Sequence, residues 1–254
     1  MKSYIAFTKK ELIEQVRTYK LFIFLAVLFV FGMVSPLFAK IMPDIISSMN
    51  TQGVEIKIPK PTYIDAYAQF LKNIGQMGIF ALLLIFSGLL SNDVTKGTLV
   101  NMVSKGLSRR VIILAKLSSA VLIWTLGYLI AIATNYIYTF YLFGEHSVNN
   151  LVLALFSLWL FGVFLISIII LGSTIVKGSY GGLILTAIIY GSLALINLFP
   201  KIIKFNPYTL TSKNMDLITD KMEIRDIKVT IITTVVLIVI ALVASLKIFE
   251  RNKL

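Results

Sequence analysis

The sequence predicts an all-α polytopic membrane protein, a single transmembrane domain over residues 1–254, and three observations predict it. Hydrophobic residues fill 57% of positions against 14% for charged ones, so acids and bases are too few to cover a soluble fold. Six spans, at about 21–39, 73–92, 117–143, 149–176, 179–199 and 229–247, are each built on an uncharged stretch, the last ending at Leu246, long enough to cross about 30 Å of hydrocarbon at 1.5 Å per residue. These stretches are continuously apolar, whereas a transmembrane strand alternates over roughly ten residues.

The first element precedes the first span. Ile5, Leu12, Ile13, Val16 and Tyr19 recur at helical spacing, with Lys9, Lys10, Glu11, Glu14 and Arg17 between them. This pattern predicts an interfacial amphipathic helix over about 3–19, whose bases can meet anionic headgroups of the membrane lipids. The first span is not read as a cleaved signal peptide, because twenty residues including two acids precede it and five more spans follow. The 40–72 connection carries Pro43, Gly53, Pro59 and Pro61, which predict irregular chain and then a short helix into the second span.

Between the second and third spans, Val94, Thr98 or Leu99, Met102 and Val103 fall on one side of a short helix over about 93–105. Lys105-Gly106 ends it, and Ser108 caps the helix that follows. From the residues alone such a helix has two readings of equal weight: it lies on headgroups, or it offers an apolar ridge to the groove of a soluble partner. Tyr136, Tyr138 and Tyr141 at the end of the third span suit an interfacial aromatic belt. In the 201–228 connection Asn206-Pro207-Tyr208 signals a turn, followed by alternating acids and bases as on a solvated helix face.

A net charge of +12 could suggest nucleic acid, yet its distribution reads first as a topology signal, and no nucleic-acid partner is expected. With the N-terminus inside, fourteen Lys and Arg lie in the cytoplasm and ten outside, while acids divide four against eight. The 93–116 loop holds five bases and one acid, and the Glu145-His146 turn holds no Lys or Arg. Both termini are therefore expected in the cytoplasm, with the chain in the plasma, or inner, membrane of a bacterial cell.

The absent chemistry is equally informative. None of the six uncharged stretches contains Asp, Glu, Lys, Arg or His, the groups on which proton-coupled transport usually depends. Lys116 and Lys177 flank spans and are read as snorkelling toward water. The sole histidine, His146, lies in an outer turn, and there is no His-Glu-x-x-His, no cysteine and no phosphate-binding loop. No catalytic, cofactor or metal site is expected. Asn73, Gln76, Thr134, Asn135, Thr186 and Asn197 within spans are read as interhelical hydrogen-bonding residues in preference to a polar route, and the span glycines as points of close packing.

The layout and one loop resemble the permease subunit of ABC-2 type exporters. The residues that carry the resemblance are Asp93, Gly97-Thr98-Leu99, the apolar run at 100–103, Ser104-Lys105, Ser108-Arg109-Arg110 and Lys116. Gly106 stands where the family usually has proline, Val100 where Glu is frequent, and Ala115 where Gly is common. The resemblance implies that the loop helix is a coupling helix seated on a cytoplasmic nucleotide-binding ATPase. It implies docking through Asp93, Lys96, Gly97, Thr98, Leu99, Met102, Val103, Lys105 and Arg109. It further implies a second copy or paralogue of the permease, with ATP and Mg held by the partner chain and no bond chemistry on this one. An amphipathic or apolar cargo, such as a peptide, an antimicrobial compound or a lipid-linked molecule, suits spans that offer an ion little solvation. The alternatives are a secondary transporter or facilitator without an ATPase, and a membrane-anchored sensor or assembly factor.

Overall fold

The structure, a computed structural model, describes residues 2–48, 60–144, 147–176 and 178–251. Every regular element among them is helical. The chain begins with α1 (Lys2–Arg17), turns at Tyr19 with φ 58°, and continues as α2 (Lys20–Ser48). A broken rod follows: α3 (Tyr63–Asn73), a π turn (Ile74–Gly78) and α4 (Ile79–Phe86). Two short helices, α5 (Ser91–Thr95) and α6 (Thr98–Ser104), lead into α7 (Arg109–Phe143) and α8 (Leu151–Ile175). The remainder is α9 (Gly181–Ile196), a 3-10 turn (Ile203–Phe205), the small helices α10 (Thr209–Ser212) and α11 (Asn214–Ile218), and α12 (Ile224–Arg251).

Five helical stretches are long and apolar enough to cross a membrane: Lys20–Ile45, Tyr63–Thr95, Arg109–Phe143, Leu151–Ile175 and Ile224–Arg251. Gly181–Ile196 is apolar but only 16 residues long. The protein is thus an all-α, multi-pass membrane protein. Its helices overrun several sequence-derived bounds. The irregular chain expected from residue 40 is helix to Ser48, because α2 accommodates both Pro36 and Pro43. The single helix expected over 93–105 is instead two, broken where Gly97 takes φ 68°. The Glu145-His146 turn, Lys177 and residues 49–59 of the 40–72 connection lie outside the described residues.

Pro36 has no N–H to give the Gly32 carbonyl one turn earlier. Asn135 of α7 donates its Nδ2 to that oxygen at 3.4 Å, a cross-helix substitute in an apolar setting. The two helices approach closely here, since a Cβ on Gly32 would meet the Ala131 carbonyl oxygen at 2.6 Å. Asn73 likewise donates to Ser35 Oγ at 2.9 Å, and Asn197 receives Thr209 Oγ1 at 3.1 Å. Thr134 and Thr186 instead bond back to their own helices, at Ile130 and Gly182.

Between α7 and α8 the indoles interlock. Trp124 Nε1 donates to the Trp159 carbonyl and Trp159 Nε1 to Thr125 Oγ1, both at 3.0 Å, while Tyr128 OH reaches the Leu155 carbonyl at 2.9 Å. Buried polar tips are thereby paired. Gly162 makes room for this, because a Cβ there would fall 2.4 Å from the Trp124 ring.

Candidate functional site

Sequence spacing on α1 hides an inward stripe. Phe7, Glu11 and Gln15 stand four apart, so they share one helix face, and all three are buried. The apolar set Ile5, Ile13, Val16 and Tyr19 points outward, with 41–68% of each exposed. Burying Glu11 requires a partner. Lys116, two turns into α7, provides it: Nζ lies 2.9 Å from Glu11 Oε2 and 2.5 Å from Asp93 Oδ2 of α5. Glu11 and Lys116 are each 1% exposed and Asp93 9%.

The cluster extends on both sides. Lys10 bridges Glu11 at 3.0 Å and Glu14 at 2.5 Å, and the Phe7 ring lies under both ammonium groups, 5.4 Å from Lys10 and 6.0 Å from Lys116. Partial burial acts to lower the Lys10 pKa, but the Glu14 and Glu11 carboxylates outweigh it and hold it above 10.5. Thr98 Oγ1 donates to Asp93 Oδ1 at 3.1 Å, tying α6 back to α5 across the Gly97 break. Tyr4 and Ser118 share a hydroxyl hydrogen bond of 2.6 Å, a second tie between α1 and α7.

Lys116 is therefore a correction to the sequence reading. It does not snorkel; it is a buried cation that joins three helices.

The foot of α7 also receives the end of α12. Arg109 Nη1 donates to the carbonyls of Phe249 at 2.8 Å and Glu250 at 3.0 Å, and its guanidinium lies 5.9 Å from the Phe249 ring centroid. A cation on the last carbonyls of a helix is favoured by the helix dipole. Arg110 pairs with Glu250 at 2.5 Å. Hence α1, the start of α7 and the end of α12 share one end of the bundle.

The nine sequence-derived site residues divide between two settings. Leu99 is wholly buried, Met102 and Val103 pack half-buried against the core, and Asp93, Thr98 and Arg109 are held by the contacts just described. Lys96 and Lys105 are exposed, and Gly97 is half-buried at the break between α5 and α6. Of the expected apolar ridge, Leu99, Met102 and Val103 face the protein, whereas Val94, 39% exposed, faces outward. The outward face of the segment is Val94, Val100, Asn101 and Ser104, flanked by the two lysines. Gly106, at φ 90°, closes α6 as a Schellman turn: its N–H reaches the Val103 carbonyl at 2.9 Å and that of Leu107 the Met102 carbonyl at 3.1 Å. Ser108 Oγ then accepts from the Val111 N–H at the start of α7.

The sequence reading missed Glu11 as a partner of Asp93 and Lys116. The four-residue spacing of Phe7, Glu11 and Gln15 was the available signal, masked by a more obvious apolar pattern on the opposite face.

Fold and site together define a multi-pass helical membrane protein with a buried ionic cluster at one end. A scan against protein-family models and a search of curated proteins match nothing to this chain.

Proposed function

We propose that this chain is the transmembrane permease subunit of an ATP-driven exporter, of the ABC-2 type that its loop resembles. The observation that carries the reading is the Glu11–Lys116–Asp93 cluster. It fastens α1 and the α5–α6 segment to the foot of a long apolar helix, and leaves one side of α6 bare. A push on that bare side, delivered by a cytoplasmic ATPase closing on ATP and Mg, passes to α7 and through Arg109 to α12. This chain would supply movement and no bond chemistry.

Six crossings fit the bundle better than five. The two ends of the described chain lie together at the foot of α7, which supports an even number of crossings with α9 as the sixth despite its length. In this reading the foot is cytoplasmic and α1 lies along the inner leaflet with its outward apolar face in the headgroups. Two such subunits pair around the route of an amphipathic or apolar cargo in a plasma membrane.

The test uses the absence of native cysteine. Val100→Cys and Asn101→Cys variants, crosslinked in cells and extracted in mild detergent, are expected to carry a soluble subunit with ATPase activity. Extraction that yields only the permease, with both cysteines fully labelled, removes the exporter reading.

A further inference from the structure

At the end of the bundle opposite the ionic cluster, a cavity of about 680 Å³ opens between the end of α2, α3, the π turn and the α10–α11 segment. Its size is that of an ordinary ligand site. The level follows from helix geometry, since Met42 lies 22 residues beyond Lys20, about 33 Å along α2 and so about one hydrocarbon thickness away. Such a cavity sits at headgroup height.

Its lining is divided. Lys60 and Lys72 stand exposed in the wall, and neither has an ion-pair partner among the described residues. The one acid in the wall among the described residues, Asp65, already uses Oδ2 to accept from the Thr62 N–H at 2.8 Å and its hydroxyl at 2.9 Å. Phe38 and Met42, 49% and 43% exposed, form an apolar flank that runs along α2 into the membrane.

Two further observations point to an occupant. Gly75 and Gln76 of the wall belong to the π turn, a distortion found frequently at functional sites. Asn214, also in the wall and 2% exposed, has neither its amide nitrogen nor its amide oxygen paired. An unpaired buried carboxamide is costly, and the wall of this cavity carries that cost.

We infer that this cavity binds an anionic glycerophospholipid, its headgroup against the wall that carries Lys60 and Lys72 and an acyl chain along Phe38. The two cations select the charge, and the apolar flank selects an amphiphile over a soluble anion. The site is independent of any ATPase partner.

The experiment places the full chain in nanodiscs of phosphatidylcholine with or without phosphatidylglycerol. Native mass spectrometry is expected to find phosphatidylglycerol retained where phosphatidylcholine is stripped, and retention falling about tenfold in the K60Q/K72Q variant. In a separate Gln76→Cys chain, phosphatidylglycerol is expected to slow maleimide labelling, whereas phosphatidylcholine and inorganic phosphate leave it fast. Equal retention of the two lipids, or undiminished retention in K60Q/K72Q, overturns the inference. Protection of the cysteine by inorganic phosphate alone overturns the lipid assignment. If K60Q/K72Q does not fold, the labelling of the Gln76→Cys chain decides by itself.

Discussion

Lys116 and Glu11 lie 105 residues apart in the chain, yet Nζ and Oε2 meet at 2.9 Å with both side chains out of solvent. Neither charge tolerates isolation. Lys116→Met strands two facing carboxylates, Glu11 and Asp93, and is expected to cost about 3–5 kcal/mol. The triple variant E11Q/D93N/K116M removes the charge along with the pairing and is expected to recover most of that loss. Thermal unfolding followed by the fluorescence of Trp124 and Trp159 measures both. A single variant as stable as the parent would mean that the cluster does not hold the foot together.

The Asn135 to Gly32 bond makes a second, coupled prediction. Asn135→Leu leaves the Gly32 carbonyl without a donor and is expected to destabilise by about 1 kcal/mol. Pro36→Ala restores a main-chain N–H at the proper place, so the double variant is expected to lose less than Asn135→Leu alone. Simple additivity in the double-mutant cycle would show that Asn135 does not stand in for the proline's missing donor.

Gly106 carries φ 90°, and a Cβ placed on it would have no atom within 4 Å, so conformation and not space restricts it. Gly106→Ala is expected to cost about 1 kcal/mol. The loss should appear as faster hydrogen exchange in residues 98–104. Unchanged exchange there would show that the Schellman turn does not hold the end of α6.

Leu99 and Val100 are neighbours with opposite surroundings, the first wholly buried and the second 45% exposed. Leu99→Glu places a charge in the core and is expected to lower the melting temperature sharply. Val100→Arg is expected to change stability by no more than about 0.5 kcal/mol while abolishing stimulation of a partner ATPase. Normal stimulation in a folded Val100→Arg chain would show that α6 does not dock through this face.

Much of the architecture was legible in the sequence because lipid imposes a one-dimensional rule: a long uncharged run must become a helix. The α6 stop at Gly106 and the cap at Ser108 were legible for a similar reason, since both are local chemistry. The inward direction of Leu99 was not. A three-residue apolar ridge on a short helix looks the same whether it faces a core or a partner, and only the packing of α5 and α6 against the rest of the bundle decides. Lys116 was misread for a related reason. At the edge of an apolar run, a lysine that snorkels and one that meets a buried acid have the same neighbours in sequence, and the acids that hold it are 23 and 105 residues away.

The distance along the chain between Glu11 and Lys116 also sets an order of events during synthesis. At roughly 5–20 residues per second, the ribosome adds Lys116 about 5–20 s after Glu11. For that interval the acid has only the neighbouring, half-exposed Lys10 to meet and no buried partner, so α1 must wait in water or among headgroups while α2 and the α3–α4 rod are made and α7 begins. Its docking is a late step, completed only when the foot of α7 emerges. The final clasp, Arg109 on the end of α12, comes later still. The nascent protein therefore closes from the middle outward, its first helix settling only after the two long stretches that follow it have been made.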